Sequence, residues 1–133
     1  MLNKVLFIDD DRVASLINRR LMGKVLPEAE IVQASNGKEA IAYYVNLLEC
    51  IDENVSYPEL VFLDLHMPVM DGWGFLNEFS KPQFQPFNNT KIVLLSSSVS
   101  PLDLERSRGF PIVIDFVAKP VSVELLRMYQ ADL

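Results

Sequence analysis

The chain has 133 residues, enough for one compact domain and too few for a second of ordinary size. Half of it is apolar, which excludes a disordered chain, and its net charge of −6 argues against non-specific nucleic-acid binding, which relies on Lys and Arg neutralising phosphates. No apolar run approaches the ~20 residues that span a membrane. Met1-Leu2-Asn3-Lys4 carries no signal-peptide cleavage site, and the single Cys50 cannot form an internal disulfide, so a cytoplasmic location is expected.

Val5-Leu6-Phe7-Ile8 is a short apolar run ending in acids, the pattern of a strand buried on both faces in a parallel sheet. From Arg12 the period becomes helical: Val13, Leu16, Ile17 and Leu21 fall on one face, and Pro27 closes the segment. Glu30 to Ala34 reads as a second strand. Asn36 and Glu39 have the spacing of a capping box, and the stripe Ala40, Ile41, Tyr44, Leu47, Leu48 and Ile51 marks a second helix. Asn54 to Glu59 is a turn containing Pro58. Leu60 to Leu65 is a third buried strand, and Gly72 to Phe79 a short third helix. Pro82 to Thr90 reads as a loop rich in Pro, Asn and Gln. Ile92 to Leu95 is a fourth strand running into three serines. Leu102 to Arg108 is a brief helix fenced by Pro101 and by Gly109 with Pro111. Ile112 to Ala118 is the fifth strand, and Ser122 caps a last helix towards Gln130.

Strand and helix alternate five times, which implies a doubly wound α/β fold, a parallel sheet with helices on both faces. Right-handed crossovers and a short chain favour the flavodoxin-like strand order 2-1-3-4-5. In such a sheet ligands bind at the carboxyl edge. There strand one ends in Asp9-Asp10-Asp11, strand three carries Asp64, strand four ends at Ser96-Ser97 and strand five at Lys119-Pro120. The expected cleft holds carboxylates, a hydroxyl and an ammonium. Clustered carboxylates raise one another's pKa unless a cation separates them. Hard oxygen ligands suit magnesium, and a lysine ammonium suits a phosphoryl oxygen. A carboxylate can attack phosphorus, and phosphoryl transfer needs mainly positioning and charge neutralisation.

Four segments carry a resemblance: Phe7-Ile8-Asp9-Asp10-Asp11, Phe62-Leu63-Asp64-Leu65-His66-Met67-Pro68-Val69-Met70-Asp71-Gly72, Leu94-Leu95-Ser96-Ser97 and Phe116-Val117-Ala118-Lys119-Pro120. Together they resemble the signatures of response-regulator receiver domains, over essentially the whole chain, in the single-domain form of the chemotaxis response regulator. The resemblance implies the five-stranded receiver fold and a phosphoacceptor signalling protein, not an enzyme with a separate substrate. It makes Asp64 the phosphoacceptor, and Asp9, Asp10, Asp64 and the backbone carbonyl of His66 the ligands of Mg2+. Lys119 pairs with the phosphoryl group, Ser96 is the switch hydroxyl and Phe116 the switch aromatic. Ser97 stands where a small residue admits the phosphoryl group, and Lys119-Pro120 matches the family's cis peptide. The partners implied are a histidine kinase or histidine phosphotransfer protein and a downstream protein target. Residues 1–133 are read as one receiver domain with no output domain, so the signal leaves through a protein partner, onward phosphotransfer or a homodimer.

Plainer roles compete at some positions. Asp11 is read as a helix cap, since acids favour helix N-termini. His66 is expected at the rim, where its side chain modulates phosphoryl lifetime, and Trp73 is expected to be packed at the start of the third helix. A haloacid-dehalogenase-like phosphatase would use Asp9-x-Asp11 and Ser96 but needs a further acidic motif, with only Glu124 and Asp132 left after Lys119, and leaves Asp64 unexplained. An FMN-binding flavodoxin would want a Ser/Thr/Gly-rich loop where three aspartates stand. A pseudo-receiver usually lacks an acid or the lysine, and none is missing here. The long second helix, the Pro82 to Thr90 loop and the proline-fenced fourth helix depart from the family pattern.

Overall fold

Short runs of Val, Ile, Leu and Phe separated by amphipathic helices pair as five parallel strands in the order 2-1-3-4-5, as the alternation predicts. The computed structural model describes residues 2–50 and 55–133. The elements are β1 (Lys4–Ile8), α1 (Arg12–Val25), β2 (Glu30–Ala34), α2 (Gly37–Glu49), β3 (Leu60–Asp64), α3 (Gly72–Phe79), β4 (Lys91–Ser96), α4 (Pro101–Ser107), β5 (Val113–Ala118) and α5 (Val123–Asp132). Ile51 and the start of the turn expected from Asn54 lie outside the described residues.

Successive side chains along a strand point to opposite faces, and this period of two sorts the core into halves. Leu6, Ile8, Val61, Leu63, Ile92 and Leu94 meet Ala40 and Tyr44 of α2 and Phe75, Leu76 and Phe79 of α3. Val5, Phe7, Leu60, Phe62, Val93 and Leu95 meet Met22 of α1 and Leu126 and Tyr129 of α5. β3 is buried along its whole length.

Two expectations are corrected. The segment from Pro82 is no loop: Pro82–Phe87 forms a 3-10 helix, with proline in its first turn. Three residues per turn place Phe84 and Phe87 on one side, where both are buried against Phe79. Most of the stripe on α1 faces outward: Val13 is 67 % exposed, Leu16 52 % and Ile17 59 %, while Leu21 is half-buried and packs against the core. The inward row is Asn18 and Met22, one turn apart, and Met22 and Leu26 lock it against the sheet. Three large apolar residues remain exposed on the outer face, so periodicity alone does not select the packed side.

Local hydrogen bonds fix the element ends. Asp11 caps α1, accepting from Val13 N–H at 2.9 Å and Ala14 N–H at 3.1 Å. Asn36 caps α2 by accepting from Glu39 N–H at 2.9 Å, while the Glu39 carboxylate reaches Ser35 N–H at 3.4 Å, one residue short of a closed capping box. Asp71, Ser100 and Ser122 cap α3, α4 and α5 in the same manner.

The connection from β3 to α3 doubles back tightly. Met70 N–H donates to the Pro68 carbonyl at 2.8 Å across Val69, whose φ is 69°. This is a γ-turn of the strained hand, at a β-branched residue that rarely tolerates positive φ. The loop then brings Gly72 so close that an added Cβ would stand 2.9 Å from the Asp64 carbonyl oxygen and 2.9 Å from Leu65 Cα. Gly72 is therefore required for the loop to pass beside Asp64.

Two outcomes follow from these placements. Met22→Ala costs about 2–5 kcal/mol and Ile17→Ser stays within about 0.5 kcal/mol in urea unfolding; the opposite ranking would restore the outer stripe as the packed face. Val69→Asn raises stability by about 1 kcal/mol by relieving the turn, read as a higher denaturation midpoint, and a lower midpoint would show that the turn is unstrained.

Candidate functional site

The parallel register lifts three charged residues to one edge of the sheet. Ile8 pairs with Leu63, so the next residues, Asp9 and Asp64, stand level at the ends of β1 and β3. Ala118 pairs with Ser96 at the end of β4, and Lys119 follows it off β5. The Lys119–Pro120 bond is cis, as the resemblance implies. The Lys119 ammonium reaches inward across β4 and lies 3.1 Å from Asp9 Oδ2 and 3.1 Å from Asp64 Oδ2.

The other oxygen of each acid is held by a backbone N–H two residues on. Asp11 N–H donates to Asp9 Oδ1 at 2.9 Å, and His66 N–H donates to Asp64 Oδ1 at 3.2 Å. Both carboxylates are therefore buried but oriented, as buried charge requires. Asp10 is exposed at the mouth, and one carboxylate oxygen from each of Asp9, Asp10 and Asp64 lies within 4.8 Å of the others.

Burial pushes the Asp64 carboxyl above its ordinary pKa, with the Asp9 charge adding to it, against the opposing pull of His66 N–H and Lys119. Burial acts the other way on Lys119, but its hydrogen bonds to Asp9 and Asp64 prevail and hold its pKa above the usual value. The lysine stays charged, yet one ammonium faces three carboxylates and two negative charges are left over. Three hard oxygen donors, one of them open to solvent, suit a small divalent cation that keeps part of its water shell.

The remaining predicted residues take more varied positions. Ser96 is buried one residue beyond Leu95, the register partner of Asp64. Its hydroxyl donates to the Ser98 carbonyl at 2.7 Å, and so is turned to its own loop rather than to the acids. Ser97 is exposed beside it. Phe116 is half-buried against the core on the α3 side. His66 is exposed at the rim, its side chain outside the acidic group. Asp11 serves α1 as its cap.

Some contributors escape a reading of motifs. Asn18 is a buried polar residue at a cleft of about 130 Å³ lined with Ile17, Leu95, Lys119, Pro120 and Val121. Its spacing of four from Met22 was the available signal. Trp73 is buried as expected, but its role as a hub is not visible in sequence. It stacks on Phe110, with centroids 6.2 Å apart, and carries the Arg106 guanidinium of α4 at 4.4 Å. That cation–π contact ties α4 to the start of α3.

Comparison with known proteins agrees with this geometry. The family model for the response regulator receiver domain matches residues 5–130. The sensor histidine kinase CheAY of Helicobacter pylori is 29 % identical over 92 % of the chain, which spans 14 % of that longer protein. A two-component response regulator from Cytophaga hutchinsonii superposes with a TM-score of 0.86 at 28 % identity, covering 98 % of this chain and 96 % of that one. The chemotaxis protein CheY4 of Vibrio cholerae shares the fold over the full length of both chains, with a TM-score of 0.77 at 23 % identity. No helix among the described residues is long and apolar enough to cross a membrane. With its 2-1-3-4-5 sheet and its acids and lysine gathered at one edge, this chain belongs to the response regulator receiver domain family of two-component signalling.

Proposed function

We propose that the protein is a switch that accepts a phosphoryl group on Asp64 from a histidine kinase or histidine phosphotransfer protein. The observation that carries this reading is the Lys119 ammonium, 3.1 Å from Asp9 and 3.1 Å from Asp64, with two negative charges left unbalanced around it.

Held by Asp9, Asp10, Asp64 and the backbone carbonyl of His66, Mg2+ would supply the neutralising charge that phosphoryl transfer needs. An Asp64 carboxylate oxygen attacks phosphorus as the P–N bond of the donor phosphohistidine breaks, and the imidazole nitrogen leaves with the electron pair. Lys119 exchanges a carboxylate contact for a phosphoryl oxygen. Ser96 gives up the Ser98 carbonyl and donates to another phosphoryl oxygen, with Ser97 small enough to admit the group. This frees the loop that Ser100 ties to α4. Phe116, now half-buried, turns into the space Ser96 leaves. The surface of α4, β5 and α5 then favours a downstream protein target or a homodimer, a population shift driven by covalent charge at Asp64.

The exposed face of α1 supplies a docking surface for the donor. Val13, Leu16 and Ile17 follow the Asp9–Asp11 turn, and Ile17 lines the cleft at Pro120 and Val121. An apolar patch rimmed by the acidic site suits the helix of a protein that must bring its phosphohistidine to Asp64.

Incubation with acetyl phosphate tests the chemistry. Intact mass gains one phosphoryl group only with Mg2+; Asp64→Asn abolishes the gain, and Lys119→Met slows it by about 10²-fold or more. A wild-type chain that stays unmodified with Mg2+ would leave a pseudo-receiver or a domain restricted to its protein donor. The donor surface has its own readout: Ile17→Glu lowers phosphotransfer from a cognate histidine kinase at least tenfold and leaves acetyl phosphate labelling unchanged. Equal losses with both donors would remove the docking role.

A further inference from the structure

The helix α4 is weakly anchored along its length. None of its seven residues buries an apolar side chain: Leu102 is 84 % exposed, Leu104 is exposed, and Ser107 is the one buried residue. Its first turn hangs from the Ser96 loop, where Ser96 Oγ bonds the Ser98 backbone and Ser100 Oγ accepts from Asp103 N–H at 3.1 Å. Its last turn is held by Arg106, whose guanidinium lies 4.4 Å from the centre of the Trp73 ring. Among the described residues Arg106 makes no ion pair, and no other α4 side chain makes a hydrogen bond, ion pair or ring contact to another helix or strand.

The ring beneath Arg106 is fixed. Trp73 is buried and stacks on Phe110. It follows Gly72, whose N–H donates to the Leu65 carbonyl at 3.1 Å and whose Cα stands so close to the Asp64 carbonyl that a Cβ has no room. The start of α3 is thus a post set beside Asp64, and α4 is the arm fastened to it. A guanidinium over an indole biases a two-state equilibrium by about two- to fivefold at an open site.

We propose that Arg106 on Trp73 is a latch that holds α4 in its unphosphorylated position, and that a phosphoryl group on Asp64 opens it by drawing Ser96 away from its loop. The coupling rests on the phosphoacceptor reading of Asp64; the latch itself does not. Coupling of this kind is reciprocal, so a chain without the latch binds the phosphoryl group, or a mimic of it, more tightly.

Beryllium fluoride with Mg2+, a noncovalent stand-in for the phosphoryl group, is the probe, followed by titration calorimetry and by the emission of Trp73, the one tryptophan in the chain. Amide hydrogen exchange of α4 follows the latch without the probe. Arg106→Gln is expected to speed α4 exchange and to tighten beryllium fluoride binding, each by about two- to fivefold, and to shift Trp73 emission to the red. Beryllium fluoride brings the same red shift to the wild type. Arg106→Lys keeps a cation for the ring and falls between the two. Both replacements have helix propensities close to that of arginine, so a change reports the lost contact. Arg108→Gln removes the neighbouring charge, which is paired with Glu105, and leaves all three readouts at wild type. Wild-type α4 exchange in Arg106→Gln would overturn the latch. Wild-type affinity for beryllium fluoride in Arg106→Gln, or unshifted emission in a saturated wild-type chain, would overturn its coupling to Asp64. A wild-type chain that gives no saturable heat fails the Asp64 reading, and the coupling with it, while α4 exchange still decides the latch.

Discussion

The Lys119 ammonium between Asp9 and Asp64 is the contact on which the rest of the site depends. It joins the ends of three strands across β4 and gives two buried carboxylates a shared counter-charge. Removing one partner of such a group leaves an uncompensated buried charge, a loss of about 3–5 kcal/mol. Yet the pairing is incomplete, because Asp10 adds a further negative charge at the mouth. The fold thus maintains a local excess of negative charge that more cation would relieve. A cluster tuned only for stability would have been balanced, and the imbalance is what makes this edge receptive.

Geometry around that contact is imposed from both sides of the sheet. Gly72 lets the β3–α3 loop pass against the Asp64 backbone, and Gly37 N–H, at the start of α2, donates to the Met70 carbonyl at 3.0 Å. The strained turn at Val69 lies in that same short stretch. Backbone strain beside a buried acid is the kind of local cost a stable scaffold can sustain at a working site. On the β4 side the Ser96 hydroxyl is already engaged by its own loop, so any rival acceptor must compete with a hydrogen bond of 2.7 Å.

Much of this was legible in the chain because it is written in short-range patterns. Apolar runs of four residues announced β1, β3 and β4, and the strands' carboxyl ends announced Asp9, Asp64 and Lys119. The helix caps Asn36 and Ser122 and the capping role of Asp11 were readable for the same reason: a cap involves only a few neighbouring residues. What stayed hidden depends on distant packing. Which face of α1 turns inward is set by Met22 and Leu26 meeting the sheet, not by the richer stripe at Val13, Leu16 and Ile17. The 3-10 helix was hidden by Pro, Gln and Asn, residues that also spell loops, and only Phe84 and Phe87 against Phe79 reveal it. The link from Trp73 to Arg106 and Phe110 joins residues more than thirty positions apart, beyond any local signal.

The strand order has a bearing on how the chain reaches this state. β1 is an interior strand, flanked by β2 and by β3, with Val5 beside Leu60. As the polypeptide emerges, Val5 to Ile8 can pair with β2 while their other edge stays open until α2 and the whole of β3 have followed. No hairpin is available to close the sheet early, because every pairing is parallel and needs a crossover. Loop closure must precede the contacts that reward it, so assembly is slow relative to a helical bundle of the same length. During that interval the most apolar strands of the molecule are its most exposed edges, and Asp9 and Asp64 have no shared lysine until β5, the last strand, is in place.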